Sequence, residues 1–272
     1  MRLLCSLALL LLAPPCWAGS LRLEGAIEQG GLVRGRVEPG AAVTLDGAPL
    51  RVAPDGSFVI GFGRDAGLKA TLELVYADGT REQRELAVGA RQYNVQRIDG
   101  LPAEQVTPDP ATMERIKREA ALIAKARAVD SDLLFFEQSF AWPAVGPVSG
   151  VYGSQRILNG EPRAPHAGVD IAAPRGTSVA SAAGGRVTLA EPDLFFTGGT
   201  VIIDHGYGLA TTYQHLDSVE VAVGRDVSAG ERIGTVGATG RVTGPHLHWS
   251  LTWYAMRLDP ALAVGPMPSG ER

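Results

Sequence analysis

The chain has 272 residues, 45% of them hydrophobic and 20% charged, with a formal net charge of −4. That length exceeds a comfortable single core and admits two domains, and an acidic balance with no basic tract gives no sign of a polyanion-binding surface, so nucleic acid is not an expected partner. The two cysteines, Cys5 and Cys16, both lie near the N-terminus, which excludes a disulfide framework or a Cys-ligated metal in the remainder.

In chain order, residues 1–18 carry one basic residue (Arg2), a Leu/Ala run to Leu12, a Pro14-Pro15 break and small residues at Cys16 and Ala18. This is the pattern of a secretory signal peptide cleaved after Ala18, with an apolar run too short for a permanent membrane anchor. Ala13-Pro14-Pro15 before Cys16 is unlike a Leu-Ala-Gly lipobox, which argues against acylation there. Export to the periplasm or cell envelope follows, without stable membrane insertion, and loss of Arg2 leaves 24 basic against 29 acidic residues.

Residues 19–96 alternate short apolar-polar runs with turn signals at Pro39-Gly40, Asp46-Gly47, Asp55-Gly56 and Asp78-Gly79, the pattern of a small β-sandwich. Residues 97–132 read as a linker with prolines at 102, 108 and 110. Within it Asp109-Pro110 is a good N-cap and N1 pair, and Met113, Ile116, Ala120, Ile123 and Arg127 follow at three- and four-residue steps, predicting one helix packed on one face. Residues 133–272 open on Phe135, Phe136, Phe140 and Trp142, expected in core or interdomain packing, and continue as Gly-punctuated strands with almost no helical period. The fold class expected is mainly β: an N-terminal β-sandwich, a connecting helix and a C-terminal antiparallel β-sheet domain.

All five histidines fall between positions 166 and 248, a confinement that core filling does not explain. In an extended strand His246 and His248 share one face while Leu247 points to the other. His166 and Asp170 are four apart, but Pro165 and Gly168 argue against a helix and place them on a loop and the strand that follows it. Two imidazoles and one carboxylate are a standard three-ligand set for a zinc ion that keeps a fourth position open, so His166, Asp170 and His248 are the candidate metal ligands. His205, at a strand end before a Gly turn, reads as structural or as a support to the metal ligands rather than as a catalytic group. Tyr152, Arg156, Asn159 and Arg163 precede the first ligand, and substrate-facing and salt-bridging roles are both open for them.

The blocks Pro165-His166-x-Gly168-Val169-Asp170-Ile171, Tyr213-Gln214-His215-Leu216, Val236-Gly237-x-Thr239-Gly240 and Thr243-Gly244-Pro245-His246-Leu247-His248 resemble the signature of the lysostaphin/LytM-type zinc metallopeptidases over residues 140–262. The resemblance implies a compact sheet crossed by a groove, a Zn²⁺ cofactor, and hydrolysis of cross-link or stem-peptide bonds in peptidoglycan, with a D-Ala to diaminopimelate cross-link favoured over polyglycine. It also implies that His215 and His246 are the two non-ligand active-site histidines, acting as general base and oxyanion donor in an order left open. Members that have lost ligands act as non-enzymatic activators of other hydrolases, a role that the retained set here argues against. Residues 37–47 resemble bacterial immunoglobulin-like modules, and contact between that module or its helix and the groove is an expected intramolecular interaction. Where the family has a short Gly-Tyr-Gly hairpin this chain has Leu194-Phe195-Phe196, which leaves one groove wall undefined.

Overall fold

The computed structural model describes residues 21–100 and 109–268. The expected signal peptide, both cysteines, Pro102 and Pro108 lie outside the described residues. The N-terminal part contains β1 (Arg22–Gly25), β2 (Leu32–Arg36), β3 (Ala42–Leu45), β4 (Ala48–Pro49), β5 (Ser57–Gly61), β6 (Lys69–Val75) and β7 (Arg81–Ala87). They form two antiparallel sheets, ordered β1-β2-β5 and β4-β3-β6-β7. Strand alternation drives the packing: in β6, Ala70, Leu72 and Leu74 are buried while Lys69 and Glu73 face solvent. Val33, Val43, Phe58, Ile60, Leu72 and Leu74 then close one apolar cluster between the sheets.

Next come β8 (Val95–Ile98) and the helix α1 (Pro110–Arg127). The Asp109 carboxylate caps α1 by accepting from the Thr112 N–H at 2.9 Å, and Pro110 occupies the first turn, as the sequence predicts. The rest of the chain forms β9 (Val148–Gly150), β10 (Gln155–Leu158), β11 (Glu161–Arg163), β12 (Val169–Ala172), β13 (Ser178–Ala180), β14 (Gly185–Leu194), β15 (Gly198–Gly206), β16 (Leu209–Val219), β17 (Asp226–Val227), β18 (Arg232–Val236), β19 (His246–Trp253) and β20 (Met256–Leu258). A ten-stranded sheet runs β17-β14-β15-β16-β19-β12-β9, with β18 joining β16 to β13 and β20 added to β19. A separate three-stranded sheet, β11-β10-β8, joins the two parts of the chain, because β8 pairs in parallel with β10.

Every residue of β15 is buried, so the large sheet is covered on both faces there. One face carries Val201, Ile203, Tyr213, Leu247, Trp249 and Leu251 against Phe136 and Phe140. On the other, Ile202 and Ala210 join Leu189, Leu194, Ile123 and Ala126, so α1 rests directly on this second face. The Leu194-Phe195-Phe196 tip is the shoulder that holds it: Leu194 is buried in that cluster, and the Phe195 N–H donates to Glu119 Oε2 at 2.7 Å. The N-terminal sheets dock at the far end, where Arg91 pairs with Asp259 at 2.9 Å and the Asp259 N–H donates to Gly30 O at 2.7 Å.

Phe136 is fully buried with its ring centroid 5.0 Å from that of Tyr207. Truncation to Phe136→Ala is expected to cost about 3–5 kcal/mol of stability, a loss measurable as a lowered urea midpoint at unchanged slope.

Candidate metal centre

The site is built by strand register. In the antiparallel pair β12 and β19, Asp170 stands opposite His248 and Ala172 opposite His246. Residues directly opposite share a face, so Asp170, His246 and His248 all leave the sheet on the side that also carries α1. His166 arrives from the loop before β12. Two glycines permit the crowding: a Cβ at Gly150 would stand 2.3 Å from Asp170 Oδ2, and one at Gly168 would stand 2.2 Å from Trp249 O.

His166 Nε2 lies 3.1 Å from Asp170 Oδ1 and 3.0 Å from His248 Nδ1, and His248 Nδ1 lies 2.8 Å from Asp170 Oδ1. Three donor atoms at these spacings match one face of a tetrahedron around a small ion with bonds of about 2.0–2.1 Å, whose edges are roughly 3.3 Å. The outer contacts suit the same purpose. The His166 Nδ1–H donates to Val151 O at 3.0 Å, which leaves Nε2 as the lone-pair donor. Arg156 Nη2 donates to the outer oxygen of Asp170, Oδ2, at 3.2 Å. Burial pushes the Asp170 carboxyl up, but the hydrogen bonds and charge of His166 and His248 outweigh it and hold the group well below the usual carboxylate range. Burial also pushes His248 down to about 4, so its imidazole is neutral at neutral pH, as ligation requires.

His215 and His246 stand beside these three. Their ring centroids are 4.9 Å apart, and His215 is 6.2 Å from His248. The His246 Nδ1–H donates to Gly244 O and the His215 Nδ1–H to Thr239 O, each at 2.9 Å. His215 has a left-handed backbone, φ 64°, inside a strand whose register slips nearby. Simple alternation after Gln214 would send its ring into the core, and the left-handed turn brings it to the cavity instead. Burial, then the neighbouring His248 and His246, push its pKa down to about 3.

The five residues line one cavity of about 580 Å³. Among the described residues its wall holds a single carboxylate, Asp170, and five arginines: Arg127, Arg156, Arg163, Arg241 and Arg257. Arg241 lies 4.3 Å over the ring of Phe196 on one side. Gln96 from β8 and Ile123 and Arg127 from α1 complete the wall from outside the C-terminal strands. Sequence reading missed Arg257, Arg241, Ser250 and Gln96; the one available signal was Arg127, a charged residue on the apolar stripe of its helix.

Tyr152, one of the residues for which a groove-facing role was open, is instead buried, with its hydroxyl donating to Arg257 O at 2.8 Å and its ring edge-on to Tyr93. Asn159 sits exposed in the turn between β10 and β11, while Arg156 and Arg163 do line the cavity. His205 lies on the opposite, apolar face, its ring 5.1 Å from Phe140 and its Nδ1–H donating to Gly184 O at 2.6 Å.

Residues 164–260 match the family described as Peptidase family M23. A solved M23 peptidase-family protein from Pseudomonas aeruginosa is 30% identical, with a TM-score of 0.66 covering 88% of this chain and 95% of that one. The chain belongs to peptidase family M23. Cell division protein DipM of Caulobacter vibrioides is 34% identical to it over 161 residues, 59% of this chain and 25% of DipM. Peptidoglycan DD-endopeptidase ShyA of Vibrio cholerae is 42% identical over 106 residues, 39% of this M23 chain and 24% of ShyA. The chain therefore spans about a quarter of the length of these two relatives.

Asp170→Asn and His248→Ala are each expected to take up added zinc at least tenfold more weakly than the parent chain, since loss of even an outer partner of a metal ligand costs about 10–100-fold, as read by competition with a chromophoric chelator. Burial holds His205 down at about 4 in the folded protein against 6.5 when exposed. Between those values the unfolded chain binds the extra proton, so the stability tied to the neutral ring is intact above pH ~6.5 and is lost as pH falls toward 4. His205→Gln is expected to give a shallower decline in the urea midpoint over that window than the wild type.

Proposed function

We propose that this protein is an exported zinc metalloendopeptidase that hydrolyses peptide bonds in the cross-links or stem peptides of peptidoglycan. The observation that carries the reading is the triangle of His166, Asp170 and His248 donor atoms with two further imidazoles in the same cavity. Membership of the M23 family and the similarity to ShyA support peptidoglycan as the substrate. His166, Asp170 and His248 hold the metal. Bound zinc supplies Lewis acidity and a water acidic enough to ionise near neutral pH.

The chain's own groups do the remaining work. His215 and His246 each spend Nδ1–H on a backbone carbonyl, so both present an unprotonated Nε2, the form that accepts a proton from water. Whichever ring takes the proton becomes a donor at that same nitrogen, able to stabilise the oxyanion or pass the proton to the leaving amine. Arg156 fixes the outer oxygen of Asp170 and so keeps its other oxygen directed at the two histidines.

The test measures zinc content and the peptides released from purified peptidoglycan. One zinc per chain and cleavage that disappears in His248→Ala and on chelation are the expected results; zinc-independent binding without cleavage would refute the assignment. His246→Ala is expected to keep its zinc and to lower kcat by about 10²–10⁴-fold, the range of a lost general base.

A further inference from the structure

Among the described residues, six buried side-chain polar atoms lack a hydrogen-bond partner, and four of them belong to the cavity wall: Gln96 Oε1, Arg156 Nε, Ser250 Oγ and Arg257 Nη1. Orphaned buried polar groups are costly, and three of these four can donate. All four belong to residues that line the same cavity, so a ligand acceptor seated there could satisfy groups the protein leaves unpaired.

Arg127 and Arg257 strengthen the case. Both line the cavity and both are half-buried. Neither forms an ion pair among the described residues; the hydrogen bond Arg127 makes there runs from Nε to Thr212 Oγ1 at 3.3 Å. Burial, and then the positive charge of Arg257, push Arg127 down to about 9. Gathering two desolvated guanidiniums costs free energy that a bound anion offsets. The planar fork of a guanidinium matches a carboxylate with two parallel hydrogen bonds.

Sheet register places these groups relative to the metal ligands. On β19 the residues after His248 on the same face are Ser250 and Thr252; Ser250 is opposite Thr212 of β16 and Thr252 opposite Arg257 of β20. At roughly 6.6 Å per two strand residues, the donors lie about 7 to 13 Å along the sheet from His248. An extended peptide with its scissile bond at the metal ligands brings groups two to four residues away into that range.

We propose that Arg127, Ser250 and Arg257 form a subsite for a free carboxylate of the substrate peptide, two to four residues from the bond cleaved. The inference rests on the peptidase reading above and assigns to it a substrate feature. Because Arg127 comes from α1, outside residues 164–260 that match the family, part of the selectivity is carried by the helix. The subsite favours stem peptides whose carboxylate at that position is free over those in which it is amidated.

The test uses the zinc-loaded full chain and synthetic stem peptides in which each carboxylate in turn is replaced by the carboxamide. Cleavage is followed by chromatography, and binding by fluorescence anisotropy with zinc-loaded His246→Ala. One amide, and not the others, is expected to weaken binding and kcat/KM about ten- to hundredfold in line with loss of a charge-assisted contact. In Arg257→Gln and, separately, Arg127→Gln the carboxylate-to-amide ratio should shrink to about threefold or less, with zinc content and melting temperature checking the fold. Cleavage of all peptides at similar rates by the wild type overturns the subsite and leaves the peptidase standing. Selective binding without any cleavage upholds the subsite and overturns the peptidase.

Discussion

The register of one strand pair governs the site. With Asp170 opposite His248, a carboxylate and an imidazole meet across the β12–β19 ladder without any loop having to place them. A slip of one residue would turn His248 into the core and Leu247 into the cavity. The apolar alternates prevent it: Val169, Ile171, Leu247, Trp249 and Leu251 are all buried on the far face. The hydrophobic effect that seats these side chains is thus also what aims the polar ones, so core and site are two faces of one pattern. Gly150 and Gly168 contribute by omission, since a methyl at either would strike Asp170 or the β19 backbone.

Electrostatically the cavity is the inverse of the chain that holds it. The protein is acidic overall, yet the wall around Asp170 is rich in guanidinium groups. Arg156 takes one oxygen of Asp170 and leaves the other to the imidazoles, while burial keeps His215 and His248 uncharged. Bulk charge therefore says little about what the groove attracts, because desolvated groups a few ångströms away dominate the local field.

What could be read from sequence was local. Strand alternation put His246 and His248 on one face, Asp109-Pro110 marked the start of α1, and Gly-punctuated alternation announced a mainly β fold. What could not be read depended on partners distant in sequence. Arg257 enters the cavity because β20 folds back on β19, and Gln96 because β8 pairs with β10. For Tyr152 the sequence left a groove-facing role open, and its hydroxyl and ring are instead claimed by Arg257 O and Tyr93. His215 reaches the cavity through a left-handed residue within a strand, which alternation does not anticipate for a residue with a side chain.

The parallel pairing of β8 with β10 has a bearing on folding and on exchange of the N-terminal part. Strand β10 carries Arg156, and its neighbour β11 carries Arg163, so this wall of the groove takes its backbone partner from the segment before the helix. Excision of the C-terminal strands as a unit would leave β10 with an unpaired edge, and such edges recruit foreign strands. This wall of the groove is closed by a pairing across a loop from β8 to β10 that contains α1, a non-local contact that carries a loop-closure cost. Any replacement of the N-terminal part would therefore have to bring a strand that takes the place of β8 beside β10.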